Sequence, residues 1–484
     1  MFKLIVLMFY LVAGLGWYAV AAEPAKSIEK HRLVVLTDIE ADPDDTQSLI
    51  RLLLYSNQID IEGLIATTSV HQKHRVAPES IQRLIGLYGQ VQPNLLLHQA
   101  GFPTAASLAA LVKEGQNGYG MSAVGAGKAS QGSDWLLQQL ELNDPRPLWV
   151  SIWGGANTLA QALFQLKQKY SQEKVRALVG KLRVYAISDQ DDSGFWLRKN
   201  FPNLFYIVSP GGYGAASWMG INEVVQGADN TSISNSWLAQ HIQQGHGPLG
   251  AAYPDVAYAM EGDTPAFLSL IPNGLNTALK PDWGGWGGRY QLYIPDRAAT
   301  DPDGFNGGIA VEQEPRPIWT NAVDSYKPIL AADYGRASRS LEQSISSYRA
   351  TISRWRDDIQ HDFAARMDWT IQPYDKANHA PEVRLRHANT IEAQFGQGFE
   401  LDASASVDPD GDSLSYYWFV YPEAGTAQVE ISMNAENQSH IYVNLANKGK
   451  AGSLHFIVRV TDKGQPALSR YQRVVVLVKP QQGN

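Results

Sequence analysis

From about residue 31 onward the apolar positions change period several times. Short runs of Val, Ile and Leu predict strands over 32–37, 59–66, 148–153, 182–188 and 205–209. Between them, apolar residues fall at helical spacing over 44–56 (Leu49, Leu52, Leu53), over 78–88, and from Asn157 onward. Near-continuous apolar strands alternating with helices predict a mostly parallel α/β sheet covered on both faces. In such sheets ligands bind beyond the C-terminal ends of the strands. At 371–381 the texture changes, and Pro373, Asn378, His379, Ala380 and Pro381 read as a linker. Beyond it, 413–420, 454–460 and 474–478 alternate polar with apolar residues and no helix is evident, which predicts an all-β, immunoglobulin-like sandwich. The expected domains are therefore an α/β unit over 31–372 and a β unit over 381–482.

The first residues follow a different grammar. Lys3 precedes an apolar stretch over 4–20, broken by Gly14 and Gly16, and Ala19-Val20-Ala21 places small residues where a signal peptidase reads. Residues 1–22 are expected to be a cleaved signal peptide, with an uncleaved anchor as the alternative, and the mature protein is expected to be secreted or periplasmic. No membrane partner is expected after cleavage. Cysteine is absent, which excludes disulfide staples, thiolate metal sites and a lipid-anchored cysteine. The formal net charge of −8 argues against a nucleic-acid partner.

The densest chemistry lies where the first strand meets its helix. Asp38, Glu40, Asp42, Asp44 and Asp45 crowd one turn. Carboxylates this close repel one another unless a cation, a partner or a proton compensates. Oxygen ligands suit Ca²⁺ or Mg²⁺, and Ca²⁺ tolerates irregular geometry. Helix capping accounts for Asp42, Asp44 and Asp45 without any ligand, with Pro43 at the first helical position, but it leaves Asp38 and Glu40 as added repulsion. A second acidic group, Asp189, Asp191 and Asp192, follows the strand ending near Ser188, on the same edge of the sheet. It reads either as a wall of acceptors for sugar hydroxyls or as a solvated loop with Asp192 capping the next helix.

The stretch 37–69, together with 187–194, 247–250, 253–256, 261–265 and 286–290, resembles the secreted bacterial "cellulose-binding protein" family, which has a nucleoside-hydrolase-like domain and a β-rich C-terminal domain. The acidic turn itself is similar to the aspartate motif of nucleoside hydrolases, which hold one Ca²⁺ and hydrolyse N-ribosyl bonds. The resemblance implies Ca²⁺ as cofactor, with Asp38, Asp45, Asn157 and Asp255 around it and Asp44 on the sugar hydroxyls. It places Glu40 where the hydrolases carry a ligand and base, and His246 where they carry the acid for the leaving base. Gly247 departs from the pattern, because the hydrolases have a metal-binding aspartate there. Asp255, Glu261 and Asp263 are the nearby acids available to replace it. The segment 153–160 is similar to the loop that gives the metal a carbonyl, or else is a Gly-rich turn capped by Asn157.

Trp286 and Arg289, in a Gly-rich segment, are the best placed of several aromatic and basic side chains to touch a sugar ring, although most tryptophans in such a chain are buried. In the small domain the turn over 402–412 is rich in Asp and reads as an Asx-stabilised turn or a further Ca²⁺ loop. Two functions follow. The first is an exported hydrolase of N- or O-glycosidic bonds, in which Asp38 or Glu40 takes a proton, His246 gives one, and Asp44, Asp189, Asp191 and Asp192 hold the sugar. The second is a non-catalytic binder of cellulose or another polysaccharide. The expected partner is a carbohydrate or nucleoside-like small molecule. A nucleotide or redox protein is disfavoured, since the first strand-to-helix turn is acidic where phosphate binding needs glycine and backbone N–H groups.

Overall fold

The computed structural model describes residues 29–210, 216–300, 309–328 and 343–480. The expected signal segment, 1–22, lies outside the described residues. Among those described, no helix is long and apolar enough to cross a membrane.

The large domain is built on eight strands: β1 (His31–Thr37), β2 (Ile59–Ala66), β3 (Val112–Glu114), β4 (Leu148–Ile152), β5 (Leu182–Ala186), β6 (Phe205–Val208), β7 (Tyr290–Tyr293) and β8 (Ile318–Asn321). Their spatial order is β3-β2-β1-β4-β5-β6-β8-β7, parallel throughout except for the antiparallel edge strand β7. Strand order reverses between β1 and β4, so the crevice at their C-terminal ends is the topological switch point where open α/β sheets place ligands. Both sheet faces are buried. Leu33 and Val35 point into one apolar cluster, and Val34 and Leu36 into the other. The helix Asp44–Leu54 covers one face and Asn157–Lys169 the other.

The strands agree with the apolar runs to within one or two residues. The largest difference is the helix Pro78–His98, which continues ten residues past the expected end at 88 and carries Pro93 inside it. Val91, Leu95 and His98 extend the buried stripe begun by Ile81, Leu84 and Ile85, so packing outweighs the proline's lost hydrogen bond.

Two short strands, β9 (Asp324–Tyr326) and β10 (Ile345–Ser347), and the helix Arg356–Asp368 lead to the small domain. There β11 (Thr390–Gln394), β13 (Ser415–Val420), β16 (Gly452–Thr461) and β17 (Ser469–Lys479) form a four-stranded sheet. The strands β12 (Gly398–Asp402), β14 (Gln428–Met433) and β15 (His440–Lys450) form a three-stranded one. Trp418, Phe456 and Val443 fill the core between them. The outer face of the larger sheet packs on the α/β domain. Tyr421, Ala424, Ile457 and Tyr471 belong to the large domain's own apolar cluster. Trp355 meets Tyr421 and Tyr471 edge-on at 5.9 and 5.7 Å, and the Tyr471 N–H donates to the Asn273 carbonyl at 3.0 Å.

Candidate functional site

At the switch point, the residues following β1 turn sharply. The Ala41 N–H donates to the Asp38 carbonyl at 2.9 Å, and Glu40 adopts φ 82°, in the left-handed region. The Asp44 N–H donates to Asp42 Oδ1 at 2.9 Å as the helix begins. These constraints aim Asp38, Asp42, Asp44 and Asp45 into one small space. Asp263 enters from the opposite side, from the turn preceding the helix Pro265–Leu268. Carboxylate oxygens of Asp42, Asp44 and Asp45 lie within 4.8 Å of one another. The space they enclose with Trp153, Gln190 and Trp218 measures about 10 Å³, the room of one water or one ion.

Two glycines permit this crowding. A Cβ on Gly154, just beyond β4, would stand 2.6 Å from Asp38 Oδ1, and one on Gly262 would meet both Trp218 and Asp44 Oδ2. Trp218 covers the cluster and donates its indole N–H to Asp44 Oδ2 at 2.7 Å. Thr37 donates its hydroxyl to Asp45. Asp263 Oδ2 is buried and has no hydrogen-bond partner.

The electrostatics of the cluster are one-sided. Asp38, Asp44, Asp45 and Asp263 are all at most 3% exposed, and among the described residues no Lys or Arg lines the space. Burial pushes the Asp38 carboxyl up to about 6, with the charge of Asp42 adding to the rise and Ser69 and His71 opposing it. Burial, then the charges of neighbouring aspartates, pushes Asp45 and Asp263 well above the usual carboxylate range. Asp44 moves the same way, from burial first and from Asp42 next. Such a group of acids holds protons or a cation. The residues fit a hard divalent cation. The donors are all oxygen, one buried oxygen lacks any partner, and two oxygens on opposite sides of Ca²⁺ stand about 4.8 Å apart.

Several residues singled out by sequence lie elsewhere. Glu40 is turned outward by its left-handed backbone, and its carboxylate takes Arg75 Nη1 at 2.5 Å and the Ser80 hydroxyl; Asp42 faces the cluster in its stead. Asp255 sits on an exposed loop and accepts from Gln243 at 2.9 Å, whereas Asp263 points inward. Glu261, the third acid in that stretch, is bound by Arg51, whose Nη2 lies 2.9 Å from Oε1. His246 does not reach the cluster: its Nε2 is 2.9 Å from Asp368, on the helix Arg356–Asp368. Asn157 is consumed in fastening loops, with its amide donating to Thr68 Oγ1 at 3.0 Å and to the Gly118 carbonyl at 2.7 Å.

The second acidic group divides. Asp189 forms a bidentate pair with Arg198, at 2.7 and 2.9 Å, beside Glu314. Asp191 is buried and pushed up to about 6 by burial, while it accepts from the N–H groups of Ser193 and Asn157. Asp192 is exposed and accepts from the Met121 N–H at 2.7 Å. Trp286 is fully buried and meets Tyr471 edge-on at 6.5 Å, and Arg289 Nε donates to Asp324 at 2.6 Å; both belong to the domain junction. The sequence does not single out His71, at the mouth of the cluster; it offers Trp218 only as one of several aromatics that could touch a sugar, and Asp42 as an acid that either a cap or a cation explains. A position just beyond β2, the parallel neighbour of β1, puts His71 on the same sheet edge as the acidic turn.

No curated protein matches the chain. A structure described as a nucleoside hydrolase-related hypothetical protein from Saccharophagus degradans, associated with carbohydrate metabolism, is 36% identical. It covers 93% of this chain and 100% of its own, with a TM-score of 0.76. The PKD domain from KIAA 1837 protein is 21% identical, covering 21% of this chain and 92% of its own at a TM-score of 0.17. The type III effector XopQ, complexed with adenosine diphosphate ribose, is 11% identical over 71% of this chain and 95% of its own, at 0.29. Neither score supports an argument. Residues 32–290 match the family described as cellulose-binding Sde182, nucleoside hydrolase-like domain, and 398–478 match the cellulose-binding protein Sde0182 C-terminal domain. With a nucleoside-hydrolase-like α/β sheet, a β-rich module behind it and both family matches in that order, the chain belongs to the cellulose-binding Sde182 family.

Proposed function

We propose that this is an exported hydrolase of glycosyl bonds, acting on a sugar-containing substrate at the Asp38–Asp45 cleft. The observation that carries the reading is four buried carboxylates with no Lys or Arg lining their space among the described residues, at the switch point of a parallel sheet. Asp38, Asp44, Asp45 and Asp263 would hold Ca²⁺, which when bound positions a water and the ring hydroxyls of a sugar. Asp42, half-buried at the edge of the cluster, takes the proton of the attacking water. His71, exposed on the loop after β2, gives a proton to the leaving group. Trp218 screens the acids from bulk solvent and fixes Asp44. Export follows from the signal-peptide grammar of residues 1–22.

The test is hydrolysis of nitrophenyl glycosides and nucleosides with Ca²⁺ and with EDTA, beside Asp44→Ala. Turnover that needs the metal and vanishes in the variant supports the reading, and its absence from wild type on every substrate overturns it. A non-catalytic carbohydrate binder is the second reading. It is favoured by the 10 Å³ of open space and by the outward placement of Glu40 and His246, which leaves the site short of a hydrolase's usual groups.

A further inference from the structure

Beyond the acidic cleft the molecule offers a larger space. A cavity of about 570 Å³ opens between the two domains, within the range of small-ligand sites, which favour domain interfaces. One wall is the outward face of β13. Trp418 points into the sandwich core, so Tyr417 and Phe419, flanking it in sequence, face the other way. Their rings lie 5.5 Å apart with planes 26° from parallel, and both are partly exposed. Trp355, 6.2 Å from Phe419, continues the row into the large domain.

The opposite wall supplies polar groups. Trp355 and Arg356 are each 4% exposed and line the cavity. Arg356 donates through Nη1 to the Glu223 carbonyl and through Nη2 to the Asp229 carbonyl, which fixes this wall. Among the described residues, four basic and four acidic side chains line the cavity, so that lining favours neither an anion nor a cation. Flat aromatic rings beside a mixed lining of charged and hydroxyl side chains suit a neutral polyhydroxylated ligand.

We propose that this junction is a carbohydrate-binding site, distinct from the acidic cleft, in which pyranose rings of a glucan chain stack on Tyr417 and Phe419. It rests on the carbohydrate-binding part of the reading above and not on hydrolysis. Both domains contribute to it, so the sandwich is part of the site.

The experiment titrates cellohexaose into the full chain by calorimetry, with calcium or EDTA present, for wild type, Tyr417→Ala and Tyr417→Phe. The expected result is at least a tenfold loss of affinity in Tyr417→Ala, retention in Tyr417→Phe, and less than a twofold change between calcium and EDTA. Hydroxyl-radical footprinting of wild type then shows Tyr417 and Phe419 protected by cellohexaose, a readout that survives misfolding of any variant. Wild-type affinity in Tyr417→Ala overturns the proposal, and so does protection confined to the acidic cleft or binding that EDTA abolishes. A wild type that binds no cellohexaose overturns it as well. Intact binding with no turnover on any glycoside leaves this site standing and removes the hydrolase reading alone.

Discussion

Buried carboxylates in this protein live under two regimes. Near the domain junction and under the helices, most have an arginine: Glu261 with Arg51, Asp189 and Glu314 with Arg198, Asp324 with Arg289 and Arg354, Asp362 with Arg366 and Arg470. Asp462 is held instead by Asn378 and backbone N–H groups. At the C-terminal ends of β1 and β4, Asp38, Asp44, Asp45 and Asp263 are equally buried and no arginine or lysine lines their cleft. The chain thus neutralises buried acids with arginine repeatedly and leaves those of this cleft without one. The first regime serves stability, and the second leaves a charge deficit that the proposed Ca²⁺ would fill.

Removing an arginine tests the first regime and should have the largest effect. Arg51→Met strands Glu261 and also breaks the guanidinium's contact over Phe363, 3.9 Å from the ring centroid. We expect a loss of about 3–5 kcal/mol in urea unfolding. The second regime predicts the opposite response to a cation. Ca²⁺ at a hundredfold excess over its dissociation constant should stabilise the chain by about 2.7 kcal/mol, read as a rise in Tm that EDTA reverses. A Tm that Ca²⁺ leaves unmoved would place the deficit in protons instead.

The pH profile sharpens the same point. The folded-state pKa of Asp38, about 6, lies above its ordinary value of 3.8, so folding favours the protonated form. Without Ca²⁺, its contribution to stability is complete below about pH 4 and is lost as pH rises through 6, a change on the order of 3 kcal/mol. Thermal unfolding in EDTA should therefore show a higher Tm at pH 5 than at pH 7, and Ca²⁺ should shrink that difference. Asp263→Asn, which removes one of the crowded charges, should stabilise the metal-free chain by on the order of 1 kcal/mol at pH 7 and abolish the Ca²⁺ response. Glu40→Gln should do least: its partners Arg75 and Ser80 lie at the surface side of the turn, and both Tm and the Ca²⁺ shift should stay within about 0.5 kcal/mol of wild type. A large loss of the Ca²⁺ response in that variant would return Glu40 to the cluster.

The contrast also explains what could be read from the sequence. The apolar runs revealed the sheet, because strands buried on both faces leave an unbroken signature, and the crowded acids of 38–45 marked its ligand edge. Which acids turn inward was not legible. Glu40 and Asp42 are two residues apart, and a single left-handed residue decides that one faces Arg75 and the other the cleft. Among Asp255, Glu261 and Asp263 the choice depends on Arg51, far away in sequence, which captures Glu261. Trp286 and Arg289 misled for a related reason: glycines that would let a ligand approach closely serve equally to let one domain approach another.

The apolar mass shared by Tyr421, Ile457 and Tyr471 with Trp355 has a mechanical consequence. A protease that cut within 371–381 would sever the chain without separating its halves, and the nicked protein would still sediment and melt as one particle. The β-rich module is therefore not a bead on a tether that can search at a distance from the sheet; a glucan held at the proposed junction site would lie at a fixed range from the acidic cleft.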